Sequence, residues 1–303
     1  MTGTLVGPTP DLARVTARKM RKASKRLHAV AAMVLLRCIN RFSHQPVTGT
    51  ADVVVSMTSY GERIRTVDVA LESIARGIAR PRRLILWLDE PEAMDHLPKG
   101  LERLRERGLE VKLSQNFGPH TKYFPYVACN GHSNSPLVTA DDDIIYPDTW
   151  LQELVEANQA RPTMIHGHWV RTITVNGGSL TGYQDWIRRR DTLPGLNNFA
   201  LGVSGVIYPP RMLKELKARG DVFQDACPGA DDIWLHWVAL RAGIPVCQVD
   251  GVSRHFPMIP GSQANTLSDL NVGQSRNDHW IRALYSTADV SAMTGTFTQR
   301  WSA

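Results

Sequence analysis

The fold class that this sequence predicts is α/β, a mainly parallel sheet flanked by helices, and three observations predict it. Strand-like and helix-like patterns alternate from residue 51 onward. The strand candidates are continuous apolar runs without a polar face, as strands covered by helices on both sides require. Polar clusters follow directly on three of those strands. In an open α/β sheet, ligands sit outside the carboxyl ends of the strands, and that rule places all three clusters along one edge. A length of 303 residues suits one large or two fused domains. With 43% apolar and 21% charged residues, wholesale disorder is excluded.

In chain order, residues 11–42 hold no Gly or Pro and many helix formers, which predicts one long helix. Val53 to Met57 is a β-branched run that ends in Thr58, Ser59, Tyr60 and Gly61. Val67, Ala70, Leu71, Ile74 and Ile78 keep a helical spacing. Leu84 to Leu88 is a second strand, closed by Asp89. A charged helix with Leu101 and Leu104 leads to a strand over Leu109–Leu113, and another helix is expected over Tyr123–Asn130. Pro136 to Ala140 is a fourth strand that runs into Asp141, Asp142 and Asp143, with a helix expected over Trp150–Ala160. Beyond residue 160 the pattern loosens. One or two strands fit Met164–Val175, a turn fits Asn176 to Ser179, and 183–198 is a polar loop. Phe199–Tyr208 is extended and interrupted by glycine, helices start near Pro210 and Asp231, and Ile244–Val249 is a late strand. Residues 251–303 read as loop-rich. No linker separates the parts. The expected organisation is a basic N-terminal helix over 1–45 and two halves, 46–210 and 211–303, that share one core.

The net charge of +6 is unevenly placed. Residues 1–50 carry nine Lys or Arg against one acid, Asp11, whereas the remainder carries 26 Lys or Arg against 28 Asp or Glu. The pI of about 9.3 therefore belongs to an N-terminal arm on a slightly acidic body. A body with a broad basic face is excluded, and no nucleic-acid partner is expected. Ala29 to Leu36 is an apolar run of eight residues, far short of the ~20 that span a bilayer. No small-x-small cleavage pattern follows it. Two readings of the helix stand. Its apolar stripe (Leu27, Val30, Ala31, Val34, Leu35, Cys38) packs on the body, or the basic helix over 11–42 lies on an anionic membrane surface. Four widely spaced cysteines without a C-x-x-C exclude a zinc cluster or disulfide framework. They fit a cytoplasmic location, peripheral at the inner membrane face on the second reading of the helix.

The strongest local signal is the acidic run Asp141, Asp142, Asp143 at a strand end, followed by Ile144, Ile145, Tyr146 and Pro147. Three adjacent carboxylates repel one another. A hard cation such as Mg²⁺ or Mn²⁺ relieves that repulsion and also bridges diphosphates. A solvated turn that caps the helix from Trp150 accounts for the same spacing.

Asp141-x-Asp143 after an apolar strand, followed by Tyr146-Pro147 and a helix, resembles the D-x-D motif of GT-A-fold glycosyltransferases, family 2-like. Other pieces arrive in that family's order over roughly residues 51–260. The first strand with Thr58, Ser59 and Tyr60 resembles its nucleotide-binding start, and Asp89 the acid that contacts the nucleobase. Gly229, Ala230, Asp231, Asp232, Ile233 and Trp234 resemble the segment that opens the acceptor-side helix. His255 resembles the late histidine that completes the metal site in many members. Two departures are visible. The family's pair is often Glu-Asp, whereas here it is Asp231-Asp232, and the Q-x-x-R-W motif of processive synthases is absent, which favours transfer of a single sugar.

The resemblance implies a nucleotide-diphosphate sugar as donor, a carbohydrate, lipid-linked or other hydroxyl as acceptor, and Mn²⁺ or Mg²⁺ as cofactor. It implies Asp143 and His255 as metal ligands, with Asp141 on the metal or the ribose. Thr58, Ser59, Tyr60, Arg63, Asp89, Lys122 and Asp142 fall on the donor side. Asp232 is the expected general base, which implies inversion, and Asp231, Trp234 and Gly205 fall on the acceptor side. Lys122 is placed to reach a diphosphate oxygen or to pair with Asp141. Trp169, Trp186 and Trp234 are each read as a sugar platform or as core, and His166-x-His168 is left without a role. A sugar-phosphate nucleotidyltransferase and a non-catalytic carbohydrate- or membrane-binding protein are the competing classes. The former usually has a Gly-rich basic loop after the first strand, which Thr58 to Gly61 does not supply.

Overall fold

The computed structural model describes residues 12–130, 134–262 and 276–295. Helix α1 (Leu12–Phe42) leads into β1 (Ala51–Thr58), α2 (Val67–Ala75), β2 (Pro81–Leu88), α3 (Pro91–Asp95), α4 (Lys99–Glu106), β3 (Leu109–Leu113), α5 (Phe124–Asn130), β4 (Leu137–Thr139) and α6 (Trp150–Ala160). Then come β5 (Ile165–Gly167), β6 (Val170–Thr172), β7 (Val175–Asn176), β8 (Ser179–Leu180), β9 (Ile187–Arg188), β10 (Asn198–Ala200) and β11 (Val206–Tyr208). Helices α7 (Pro210–Arg219), α8 (Phe223–Ala226) and α9 (Asp231–Arg241) precede β12 (Val246–Gln248), and helices Arg276–Leu284 and Thr287–Thr294 follow.

Seven strands form the central sheet in the order β12-β5-β11-β4-β1-β2-β3. All neighbours are parallel except β11, which runs antiparallel to both β4 and β5. The apolar runs alternate between two cores, as period-2 side-chain placement dictates. Val53, Val55, Met57, Leu84, Leu86 and Leu88 meet α2, α4 and α6 on one face. Val54, Ile85 and Trp87 meet α5, α7 and α9 on the other.

The reversed β11 matters most for the site. Val206 pairs with Thr139, so the start of β11 lies beside the end of β4. The turn that enters β11, Gly202–Ser204, is thereby brought to the acidic run that leaves β4. A second staple holds the late loop there. Ile145 N donates to Pro257 O (2.8 Å) and Ile259 N to Asp143 O (2.7 Å), which lays residues 257–259 along 143–145.

Helix α1 packs against α2 and α4, but by the face opposite the expected stripe. Leu36 and Asn40 are buried. Asn40 Nδ2 donates to Glu72 Oε2 (3.2 Å) and to Gly100 O (3.1 Å), and Arg103 Nε donates to Asn40 Oδ1 (2.8 Å). Glu72 in turn carries a two-pronged ion pair with Arg107, at 2.7 and 3.0 Å. Hydrogen bonding at Asn40 therefore selects this face, while Leu27 stays 69% exposed and Val34 and Leu35 53%. No helix among the described residues is long and apolar enough to cross a membrane.

Candidate active site

The carboxyl ends of β1, β2 and β4, the turn into β11 and the start of α9 surround one cavity of about 810 Å³. Its lining brings together Thr58, Tyr60, Arg63, Asp89, Lys122, Asp141, Asp142, Asp143, Asp231, Asp232 and His255. Eleven of the fourteen residues expected at a site thus face one space. Ser59, Gly205 and Trp234 do not.

Two basic side chains organise the acids. Arg63 sits in the short turn after β1 and donates to Asp143, with its other terminal nitrogen 3.2 Å from Asp142 Oδ1. Asp142 is nearly inaccessible, and burial pushes its pKa up to about 7 although Arg63 and the Ser59 hydroxyl oppose the shift. Lys122 lies in the turn Gly118–Lys122 ahead of α5 and is buried between the two acidic groups. Its Nζ is 2.9 Å from Asp141 Oδ1 and 3.0 Å from Asp231 Oδ2. Burial alone would lower its pKa, but Asp141, Asp231 and Asp232 outweigh it and hold the ammonium charged, well above the ordinary lysine range.

Asp232 occupies the first turn of α9. Both of its oxygens accept from Gly202 N at 3.1 Å, and it keeps some accessible surface toward the cavity. Its pKa is raised, first by burial and then by Asp231, while Lys122 and the Gly202 amide pull the other way. The helix N-terminus favours the ionised form, but burial and the adjacent acid dominate. A Cβ on Gly202 would stand 2.8 Å from Asp232 Oδ1 and 3.0 Å from Lys122 Nζ. Both atoms are fixed by ion pairs or hydrogen bonds, so Gly202→Ala should displace the carboxylate. A melting curve close to wild type with turnover at least ~10-fold lower is the expected result, by the sensitivity of catalysis to small misplacements.

Three expected contacts are corrected. Trp234 is 1% exposed and packs against Phe223 and Trp237, because its position on α9 points into the core rather than along the cavity. Gly205 has φ +91°, and a Cβ there would meet Trp150 Nε1 at 2.5 Å. It makes room for the tryptophan, whose Nε1 donates to Ser204 O (2.9 Å), so Gly202 rather than Gly205 is the glycine at the site. The Ser59 side chain is buried and its hydroxyl donates to Asp142 Oδ2 (2.6 Å), so it orients an acid and does not face the cavity.

The expected metal ligands also need correction. Among the described residues, no group of three His, Cys, Asp or Glu is arranged to hold a metal ion. Asp141, Asp143 and His255 line one cavity, but Asp141 is bound by Lys122 and Asp143 by Arg63. The His255 ring lies against Trp169 instead, with centroids 4.6 Å apart. A cation would enter only by displacing both basic groups, so the donor set as folded does not fit one.

Other histidines and tryptophans resolve into core. His166 Nε2 meets Arg161 O (3.0 Å) and His168 Nε2 meets Trp150 O (3.1 Å), so the pair serves two backbone carbonyls. His120, two residues before Lys122, bridges Tyr123 Oη (2.9 Å) and Cys227 O (2.8 Å) and stacks on Phe223. Burial lowers its pKa to about 4, which leaves it neutral and fixes the loop before α9 to the turn that carries Lys122. Trp186 is buried against Phe199, whereas Trp169 keeps a face on the cavity. Sequence reasoning missed Asn116, Arg171, Tyr183 and Asn277, which also line the cavity. Arg171 lies on β6, Asn116 and Tyr183 on short irregular segments and Asn277 on a late helix, and no motif marked any of them.

Asp89 supplies one more feature at the end of β2. Its Oδ1 is buried without a hydrogen-bond partner, and burial raises its pKa. An unpaired acceptor on a cavity wall is costly unless a ligand donor meets it.

No family model matches the chain, and no curated protein matches it in sequence. Solved structures similar to it include residues 1–349 of TarS from S. aureus, at 13% identity and TM-score 0.45, covering 79% of this chain and 68% of that one. A mannosyltransferase, PcManGT from Pyrobaculum calidifontis, in complex with GDP-Man and Mn²⁺, is similar at 14% identity and TM-score 0.40, covering 75% and 66%. CMP:2-keto-3-deoxy-manno-octonic acid synthetase complexed with CTP is similar at 12% identity and TM-score 0.39, covering 75% and 98%. Likenesses this distant carry no argument about chemistry.

Proposed function

We propose that the chain is a glycosyltransferase that moves a single sugar from a nucleotide-diphosphate sugar to an acceptor hydroxyl with inversion. The observation that carries this reading is the arrangement of two acidic groups around one cavity, joined through Lys122. One group, Asp141 to Asp143 with Asp89 and Arg63, sits at the strand ends where a nucleotide binds in such sheets. The other, Asp231 and Asp232, opens a helix across the cavity.

The reaction needs an expelled diphosphate neutralised, a hydroxyl deprotonated and two substrates aligned. Arg63 and Lys122 are cations beside the acidic run and would exchange a carboxylate partner for phosphate oxygens. Asp89, at the cavity end of β2, accepts from the nucleobase. Asp232 takes the acceptor proton, and Asp231 accepts from a neighbouring acceptor hydroxyl. The raised pKa of Asp232 makes it a stronger base than an exposed carboxylate, at the cost of a smaller ionised fraction at neutral pH. Mn²⁺ or Mg²⁺, which the resemblance implies, enters no step above, because Lys122 and Arg63 hold the carboxylates that it would need. The division into a donor half, 46–210, and an acceptor half, 211–303, follows from the same roles.

This reading predicts a pH effect. Asp231 is a negative charge that raises the Asp232 pKa. Asp231→Asn removes it, so the acidic limb of the kcat/KM profile should move to lower pH. A limb that stays in place or moves upward would contradict the assignment of Asp232 as the titrating base.

A further inference from the structure

The outward side of α1 is a second apolar face. Leu27, Ala31, Val34, Leu35, Cys38 and Phe42 recur at helical spacing opposite Leu36 and Asn40. Leu27 and Phe42 are 69% and 71% exposed. Residues 23–28 are all exposed, so more than one turn of helix is largely uncovered among the described residues. Such a segment is marginal in water, because helical stability in proteins comes mostly from packing an amphipathic face.

Charge indicates what covers it. Residues 12–42 contain nine Lys or Arg and no acid. A second copy laid along the stripe would bring like charges together with none to offset them. A nucleic acid would take the cations and leave the stripe in water. An anionic lipid surface accommodates both, with headgroups against the cations and the acyl boundary against the stripe.

We infer that α1 is an interfacial helix that holds the protein on an anionic membrane, with the candidate cavity beside the lipid plane. One contact sets the cavity near this helix. Arg37 Nη2 donates to Arg65 O (3.4 Å), in the same short turn as Arg63. Resting on the glycosyl-transfer reading, the acceptor class would be hydroxyls displayed at that lipid surface.

The test sediments the full chain with phosphatidylcholine vesicles, with and without phosphatidylglycerol, at low and raised salt. Binding is expected to the anionic vesicles alone and should weaken with salt. The double variant Leu27→Asp/Val34→Asp should lose roughly tenfold or more in partitioning with an unchanged melting temperature, since both positions are exposed. Lys25→Glu/Arg26→Glu should lose binding with the stripe intact. Equal binding by either variant overturns the inference, as does equal partitioning onto neutral vesicles. A wild-type dimer that Leu27→Asp dissolves, without vesicle binding, overturns it in favour of a second copy. Vesicle binding needs no turnover, so the outcome is separable from that of the glycosyl-transfer reading.

Discussion

Asp232→Asn is expected to lower turnover by ~10²–10⁴, the range lost with a general base, while nucleotide-sugar binding stays within about twofold. Asparagine keeps the shape and one acceptor for the Gly202 amide, so the turn into β11 should hold. What it removes is the only function assigned to this carboxylate, taking a proton. On the proposed reading the donor contacts of Asp89 and Arg63 follow β2 and β1 rather than α9, and the substitution leaves those residues in place. Calorimetric titration of nucleoside diphosphate against both proteins, beside turnover, checks the two halves of this statement. Turnover above about a tenth of wild type would remove Asp232 from the base role.

Lys122→Met is expected to cost ~3–5 kcal/mol of stability, the range for breaking a buried ion pair by deleting one partner. Lys122 is 7% exposed and pairs with two carboxylates, with a third nearby. Methionine preserves most of the volume and strands the negative charge. The sign of the pH dependence follows. Lys122 lowers the Asp232 pKa, so without it the folded-state pKa rises further above the unfolded value. A raised carboxylate pKa gives stability that is present at low pH and lost as pH rises through it. The deficit of the variant should therefore be largest at neutral pH and shrink on acidification. Urea titrations at several pH values would read it, and a deficit independent of pH would mean that Lys122 acts by packing alone.

Much of the fold was legible because its strands are buried on both faces. Val53 to Met57, Leu84 to Leu88 and Leu137 to Ala140 are apolar but for Ser56 and Thr139, and each is followed by a polar residue that reaches the cavity. The direction of β11 was not legible. A three-residue strand has no periodicity that encodes orientation, yet that reversal is what brings Gly202 beside Asp232.

The acids were found because their spacing is unusual, but their partners were harder to assign. Lys122 and Arg63 come from turns whose paths depend on tertiary packing. Trp234 follows Asp232 by two residues on a helix, about 200° around it, and nothing in the sequence says which side faces the core. Helix α1 carries two apolar faces, and the less hydrophobic one packs because Asn40 finds Glu72, Gly100 and Arg103 there. Pairwise polar matches of this kind depend on residues 32 to 63 positions apart.

Transfer of glycosyl groups from nucleotide sugars in this cavity is the activity on which every proposed role depends. Its most direct measurement incubates the purified chain with a panel of nucleotide sugars and of nucleoside triphosphates with sugar phosphates, and identifies the nucleotide and the small phosphate released. Nucleoside diphosphate from one nucleotide sugar, lost in Asp232→Asn, is the predicted result. Pyrophosphate from a triphosphate and a sugar phosphate, or nucleoside diphosphate released equally by wild type and Asp232→Asn, would contradict it.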